Sequence, residues 1–342
     1  MKKIVLVCML FSTGLTVNAQ PQDSVEVRPE FQSKYIPVFQ YWEEHNIFQH
    51  LDASLTVGTT GFGVDFASPI GNYLQLRTGF EFMPHFHHRM SFSVEVGDSP
   101  TESAATFESL SEKLTAFTGF KVDNKVDAIG LPTFYNFKFL VDVFPFKQNK
   151  HWHFTAGFYW GNSQIAKAYN ATEDMPTLMA VSIYNHMYEK AINLEPLFPI
   201  SIGGEPDGWP SDPWVQEQLK EKFLHYGRMG VKLGKYVSDG SPYIMEPDEN
   251  SMVKAKVTVN SFKPYLGFGY GGRLLKNNDK YNISFDCGAM FWGGTPNIIV
   301  HDGTNLSKDV NNIRWSVGDY VRLVKGVKVF PVLNVRVTRS IF

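Results

Sequence analysis

Residues 281–292, YNISFDCGAMFW, constrain this chain more than any other stretch. In an extended strand successive side chains point to opposite faces. Tyr281, Ile283, Phe285, Cys287, Ala289 and Phe291 therefore share one face, and Asn282, Ser284, Asp286, Gly288, Met290 and Trp292 share the other. Such a strand needs an apolar partner for one side only, which is either a protein core or lipid.

The pattern recurs, in runs near the roughly 9–11 residues that a tilted membrane strand requires. YLQLRTGFEF (73–82) sets Leu74, Leu76, Phe80 and Phe82 against Gln75, Arg77 and Glu81. IGLPTFYNFKFLVDVF (129–144), read as one strand, sets Phe137, Phe139 and Val141 against Asn136, Lys138 and Asp142. WHFTAGFYW (152–160), FKPYLGFGYG (262–271) and VKVFPVLNVRVTRSIF (327–342) alternate in the same way, and LTVGTTGFGVDFA (55–67) is a glycine-rich version with Asp65 against Val64 and Phe66. The polar faces together carry Asp65, Arg77, Glu81, Lys138, Asp142, Lys263, Asp286 and Arg336, four acids and four bases. A sandwich core would not hold eight charges, because burying unpaired charge is very costly. A small barrel has a polar interior and an apolar outside, and balanced signs predict a lumen filled by paired side chains.

Connections sort by length. SPIGN (68–72), PFKQNK (145–150) and GRLLKNND (272–279) are short and turn-like, whereas 84–127, 164–260 and 294–326 are long. Short turns at one end and long loops at the other is the asymmetry of an outer-membrane barrel. Trp152, Trp160, Tyr270 and Trp292 near run ends fit interfacial girdles. MKKIVLVCMLFSTGLTVNAQ reads as a secretory signal peptide cut after Ala19, residues 1–19, which leaves Cys287 as the sole cysteine and no intramolecular disulfide. A formal charge of −2 and no basic patch exclude an electrostatic case for nucleic acid.

The pieces GTTGFGVDFASPIGNYLQLRTGFEF, FKPYLGFGYG and ISFDCGAMFWGGTP, followed by a last strand ending in Phe342, resemble the small eight-stranded, outer-membrane-protein-A-like and porin-like barrels of Gram-negative bacteria. With the strands between them they cover about half of the chain that follows the expected signal peptide. The resemblance implies an all-β, closed antiparallel transmembrane barrel of about eight strands in the cell outer membrane. Its partners would be outer-membrane lipid and the barrel-assembly machinery, with Phe342 as the insertion signal. It implies no catalytic residues. Phe342 has the opposite parity to Leu333, Val335 and Val337, so either a bulge near Arg339 shifts the register or the signal is degenerate. Seven runs are evident and an even number is needed; the eighth strand lies in 50–57, turning at GTTG, or in 33–42. Residues 20–50 are a periplasmic segment or a lumen plug, and 51–342 the barrel.

Within the barrel, 172–250 is too large for a loop without a role. Leu178, Val181, Tyr184, Tyr188 and Ala191 fall at helical spacing, and Asp212, Pro213 and Gly227 mark the start and stop of a second helix. This segment is expected to be an extracellular cap, with Trp209, Trp214, Tyr184 and Tyr188 as the residues offered to an extracellular ligand or protein. The histidines of HFHH (85–88) have no cysteine or carboxylate at metal-site spacing, and no G-x-S-x-G elbow occurs. No metal, cofactor or catalytic residue is expected. The leading expectation is a non-enzymatic surface protein that binds through its cap. A small porin-like channel comes second, and a membrane-embedded enzyme third.

Overall fold

The alternating runs close on themselves in the computed structural model, which describes residues 42–44, 47–96, 107–109, 111–113, 115–116, 119–146, 149–197, 213–275 and 278–341. The strands in chain order are β1 (Asp52–Gly58), β2 (Gly61–Ile70), β3 (Leu74–Phe82), β4 (His88–Ser93), β5 (Glu95–Val96), β6 (Lys125–Pro132), β7 (Tyr135–Val143), β8 (Trp152–Gly161), β9 (Gln164–Asn170), β10 (Met229–Tyr236), β11 (Pro242–Met245), β12 (Lys254–Thr258), β13 (Phe262–Leu275), β14 (Asn278–Phe291), β15 (Asn297–Val300), β16 (Val310–Asn311) and β17 (Val329–Ser340). Eight of them form a closed antiparallel barrel in the order β1-β17-β14-β13-β8-β7-β3-β2. Closure leaves no unpaired strand edge, the condition for crossing hydrocarbon without a helix. No helix among the described residues is long and apolar enough to cross a membrane.

The eighth strand is β1, the 50–57 alternative, which pairs with β2 on one side and β17 on the other. It turns into β2 over Thr59 and Thr60, and Gly61 takes φ 103°, where a side chain would be strained. No bulge forms near Arg339: β17 pairs with β1 and β14 through Ser340 and Arg339 without a register shift. Phe342 itself lies outside the described residues, as do residues 1–41, the expected signal peptide among them. Of the 20–50 segment, Ile47 bridges Ile70 and the Phe48 amide donates to the Pro69 carbonyl at 3.1 Å, which ties it to the short-turn end of β2.

Outward positions are apolar and open. Val64, Phe80, Phe137, Phe154, Leu266 and Phe285 are each 46–59% exposed. Cys287 is half-buried on that same outward face. Trp152 and Tyr270, 4.9 Å apart between ring centres, mark one rim, and Phe62, Tyr135, Trp160 and Phe262 the other. Trp292 is not part of either girdle: it is buried and stacks on Phe330 at 5.1 Å.

Beyond the long-connection rim the wall continues. The run read as one strand over 129–144 is two, β6 and β7, broken at Thr133 and Phe134. The same happens around the barrel: β4 follows β3, β9 follows β8, β12 precedes β13 and β15 follows β14. These extensions form a five-stranded sheet in the order β15-β12-β9-β6-β4, the neighbour order of the barrel strands that carry them. The layer above the barrel thus draws on all three long connections rather than on 172–250 alone. Its apolar core joins Phe92, Val126 and Ile298 of this sheet to Leu178, Val181 and Tyr184 of the helix Met175–Ile192, to Met229 and Leu233 of β10, and to Val321 of the helix Trp315–Gly326. A further helix, Pro213–Tyr226, starts on Pro213, and Gly227 follows it at φ 76°.

Candidate functional site

Inward positions are set by the same alternation that exposes the apolar belt. The eight charged residues expected in the lumen all point inward and are at most 5% exposed. They form two clusters and an outlier. Lys138 Nζ lies 2.7 Å from Asp65 and pairs with Glu81, and the Thr56 hydroxyl donates to Asp65 at 2.7 Å. Arg77 donates to Asp142 at 2.8 Å and to Asp286 at 3.2 Å; Arg336 stands 3.2 Å from the same Asp286 oxygen and donates to Ser284. His153, inward on β8 by the same alternation, sits 2.8 Å from Asp286. Lys263 is the outlier. Among the described residues it has no carboxylate partner; it donates to Asn136 Oδ1 at 2.9 Å and to the Asn162 and Ser261 carbonyls, 5.6 Å over the Phe134 ring.

Beside the Lys138 cluster, largely on the facing wall of β8, β13, β14 and β17, the interior is apolar. Leu140, Tyr159, Tyr265, Met290 and Val332 pack with Phe134 and Trp292. Gly267 and Gly288 face each other in register and leave room for the Tyr265 ring, which a Cβ at either position would strike. This collar was missed because these are ordinary core residues; the one signal is that their parity assigns them to the inward face. A polar vestibule of about 320 Å³ opens at the short-turn end, lined by Asp52, Gln75, Lys150, His151, His153 and Arg336 among others. It ends on the charge clusters. Buried ion pairs and the apolar collar line the interior beyond it.

A cavity of about 250 Å³ lies in the cap, between the inner face of the five-stranded sheet and the helix Trp315–Gly326. Register explains it. Gly130, Ala168, Ala255 and Val300 are consecutive partners across four strands, and Ala166, Val257 and Ile298 form the next row. Three of the first four have a single methyl or none, so the sheet does not reach Val317, Val321 and Val324 on the helix above. Met90, Phe92, Leu233 and Met245 close the sides. At the exposed edge His88 Nε2 and the Tyr320 hydroxyl meet at 2.5 Å, joining β4 to the helix. An apolar space of this kind, without groups to hold water, favours an apolar guest.

The four aromatic residues expected to bind do not line this cavity. Tyr184 is buried, donates its hydroxyl to the Gly227 carbonyl at 3.0 Å and packs edge-on against Phe223 at 5.0 Å. Burial raises its hydroxyl above the usual tyrosine range. It joins two helices and is not a presented contact. Tyr188 lies under the Arg228 guanidinium at 5.8 Å, itself held by Glu246 and Glu189. Trp214 is 67% exposed, and Trp209 lies outside the described residues. Of the HFHH histidines, only His88 touches the cavity. Among the described residues no three His, Cys, Asp or Glu side chains are grouped to hold a metal ion.

A closed barrel with an apolar belt, aromatic rims, a polar interior and short turns at one end is an outer-membrane β-barrel. No protein-family model matches the chain, and no curated protein matches it. Two solved structures are similar to it in outline. Acinetobacter baumannii CarO2 aligns over 85% of this chain and 98% of its own, at 14% identity and a TM-score of 0.35. Acinetobacter baumannii CarO aligns over 86% of this chain and 98% of its own, at the same identity and TM-score.

Proposed function

We propose that this outer-membrane barrel is a non-enzymatic surface protein whose cap captures a small apolar molecule, or the apolar end of a larger one. The observation that carries the reading is the cavity of about 250 Å³ under the helix Trp315–Gly326, walled by aliphatic side chains and edged by His88 and Tyr320. An apolar cavity of ~150 Å³ is already enough to take up benzene. The barrel beneath serves as anchor, because paired charges and the aromatic collar occupy its interior.

The test is uptake of a naphthalene-type fluorescent probe by the barrel in lipid nanodiscs, compared with Ala168→Leu, whose added carbons enter the cavity. Saturable uptake by the wild type, lost in the variant, is expected. Equal uptake by both proteins would mean that the probe is only in the lipid. The inward-facing charges and the vestibule of about 320 Å³ that leads to them favour the channel reading. Planar-bilayer recording decides it: a folded, inserted barrel is expected to be silent, and steady single-channel steps would reinstate a conducting lumen.

A further inference from the structure

The five-stranded cap sheet has a second face, turned away from the apolar core, and its chemistry differs. A groove of about 580 Å³ crosses it, lined by Gln164, Lys167, Tyr169, Lys254, Lys256 and His301. Lys254 is occupied by Asp248 at 2.9 Å. Lys167 and Lys256 are not: both are exposed, they are direct partners in the β9–β12 register, and neither has an ion-pair partner among the described residues. Like charges directly opposite in a sheet are unfavourable. Lysines often guard sheet edges against aggregation, but β9 and β12 are interior strands of this sheet. The two lysines stand side by side on one face of the sheet, at a groove that offers further donors, and one anion can serve both.

Position names the anion. Lys256 lies six residues before Phe262 and Lys167 six after Gly161. Phe262 and Trp160 are partners at the outer rim of the apolar belt. At ~3.3 Å per residue and a strand tilt of about 45°, six residues put the lysines about 14 Å beyond the hydrocarbon boundary. The headgroup region of a simple phospholipid is only about 5–8 Å deep on each side, too shallow to reach them. A lipid whose phosphates are carried on a projecting sugar chain does reach. We propose that Lys167 and Lys256 bind a phosphate group on the headgroup of an outer-leaflet glycolipid that lies against the barrel wall.

The experiment uses the full mature barrel in detergent micelles and rough lipopolysaccharide with a phosphorylated inner core as probe. Its affinity is measured for wild type, Lys167→Gln/Lys256→Gln and Lys167→Arg/Lys256→Arg, with heat-dependent gel mobility verifying that each barrel is folded. The glutamine pair is expected to weaken binding by about thirtyfold, the arginine pair to keep it, and phosphatase treatment of the lipid to bring the wild type down to the glutamine level. Unchanged affinity in the glutamine pair overturns the proposal. So does equal binding of phosphatidylglycerol, which would place the contact at the membrane surface, or saturable displacement by inorganic phosphate alone at similar affinity, which would make this a free-anion site.

Discussion

Lys138 is the residue at which a sealed interior can be tested most sharply. Its ammonium lies between Asp65 and Glu81, and all three are at most 1% exposed. Replacing it with methionine keeps the approximate length and removes the charge. Asp65 and Glu81 then lose the ammonium that bridges them, while the Arg77 guanidinium stays hydrogen-bonded to Asp142 and Asp286. Breaking a buried pair by deleting one partner costs about 3–5 kcal/mol, and with two carboxylates stranded the upper end applies. Lys138→Met is therefore expected to lower unfolding stability by about 4–5 kcal/mol. The triple variant Lys138→Met/Asp65→Asn/Glu81→Gln should recover most of that, since neutral amides leave no uncompensated charge. Equilibrium urea unfolding in phospholipid vesicles, followed by tryptophan fluorescence, measures both. A loss below about 1 kcal/mol for the single variant would place the cluster in the range of solvent-screened surface pairs. It would refute the claim that side chains exclude water there, and the conducting alternative would return with it.

Four further outcomes are expected. Ala168→Leu adds three carbons to the cap cavity and should raise stability by up to about 2 kcal/mol at ~0.8 kcal/mol per buried carbon, seen as a higher melting temperature alongside lost probe uptake. His88→Ala removes the bond to Tyr320, so stopped-flow mixing should show faster probe entry and exit with a smaller change in affinity. Gly267→Ala places a methyl against the Tyr265 ring and is expected to cost about 1–3 kcal/mol; a neutral result in urea unfolding would mean that the ring is free to move. Cys287, on the outward face of β14, should react with a lipid-soluble maleimide and resist a charged, membrane-impermeant one in intact vesicles.

The barrel was legible because lipid on one side and paired charge on the other enforce strict alternation. Residues 281–291 show it without a break, and every charge assigned to the lumen points inward. The cap was legible only in part. The helix pattern at Leu178, Val181 and Tyr184 and the Pro213 start mark two elements, but β4, β6, β9, β12 and β15 are short and pair with partners far off in sequence. The 129–144 run hides its break because alternation resumes on both sides of Thr133 and Phe134. The cavity comes from alanines and a glycine that are unremarkable one by one, such as those in QIAKAYN and KAKVT. They matter only once Gly130, Ala168 and Ala255 are brought side by side by pairings that no local pattern specifies. Tyr184 misled for the opposite reason: an aromatic side chain in a long connection suggests a presented contact, and it is the one that joins two helices.

The shared neighbour order of barrel and cap fixes an order of assembly. Val257 and Ala166 are partners in the cap yet lie far apart along the chain, and an unfolded connection would have to close a long loop to bring them together. Once β8 and β13 are zipped in the membrane, Gly161 and Phe262 hold the two extensions within a few residues of each other, and pairing becomes a local event at high effective concentration. The cap is therefore expected to form last, from the bilayer outward. Excised as a soluble fragment, it would lose the template that sets its register.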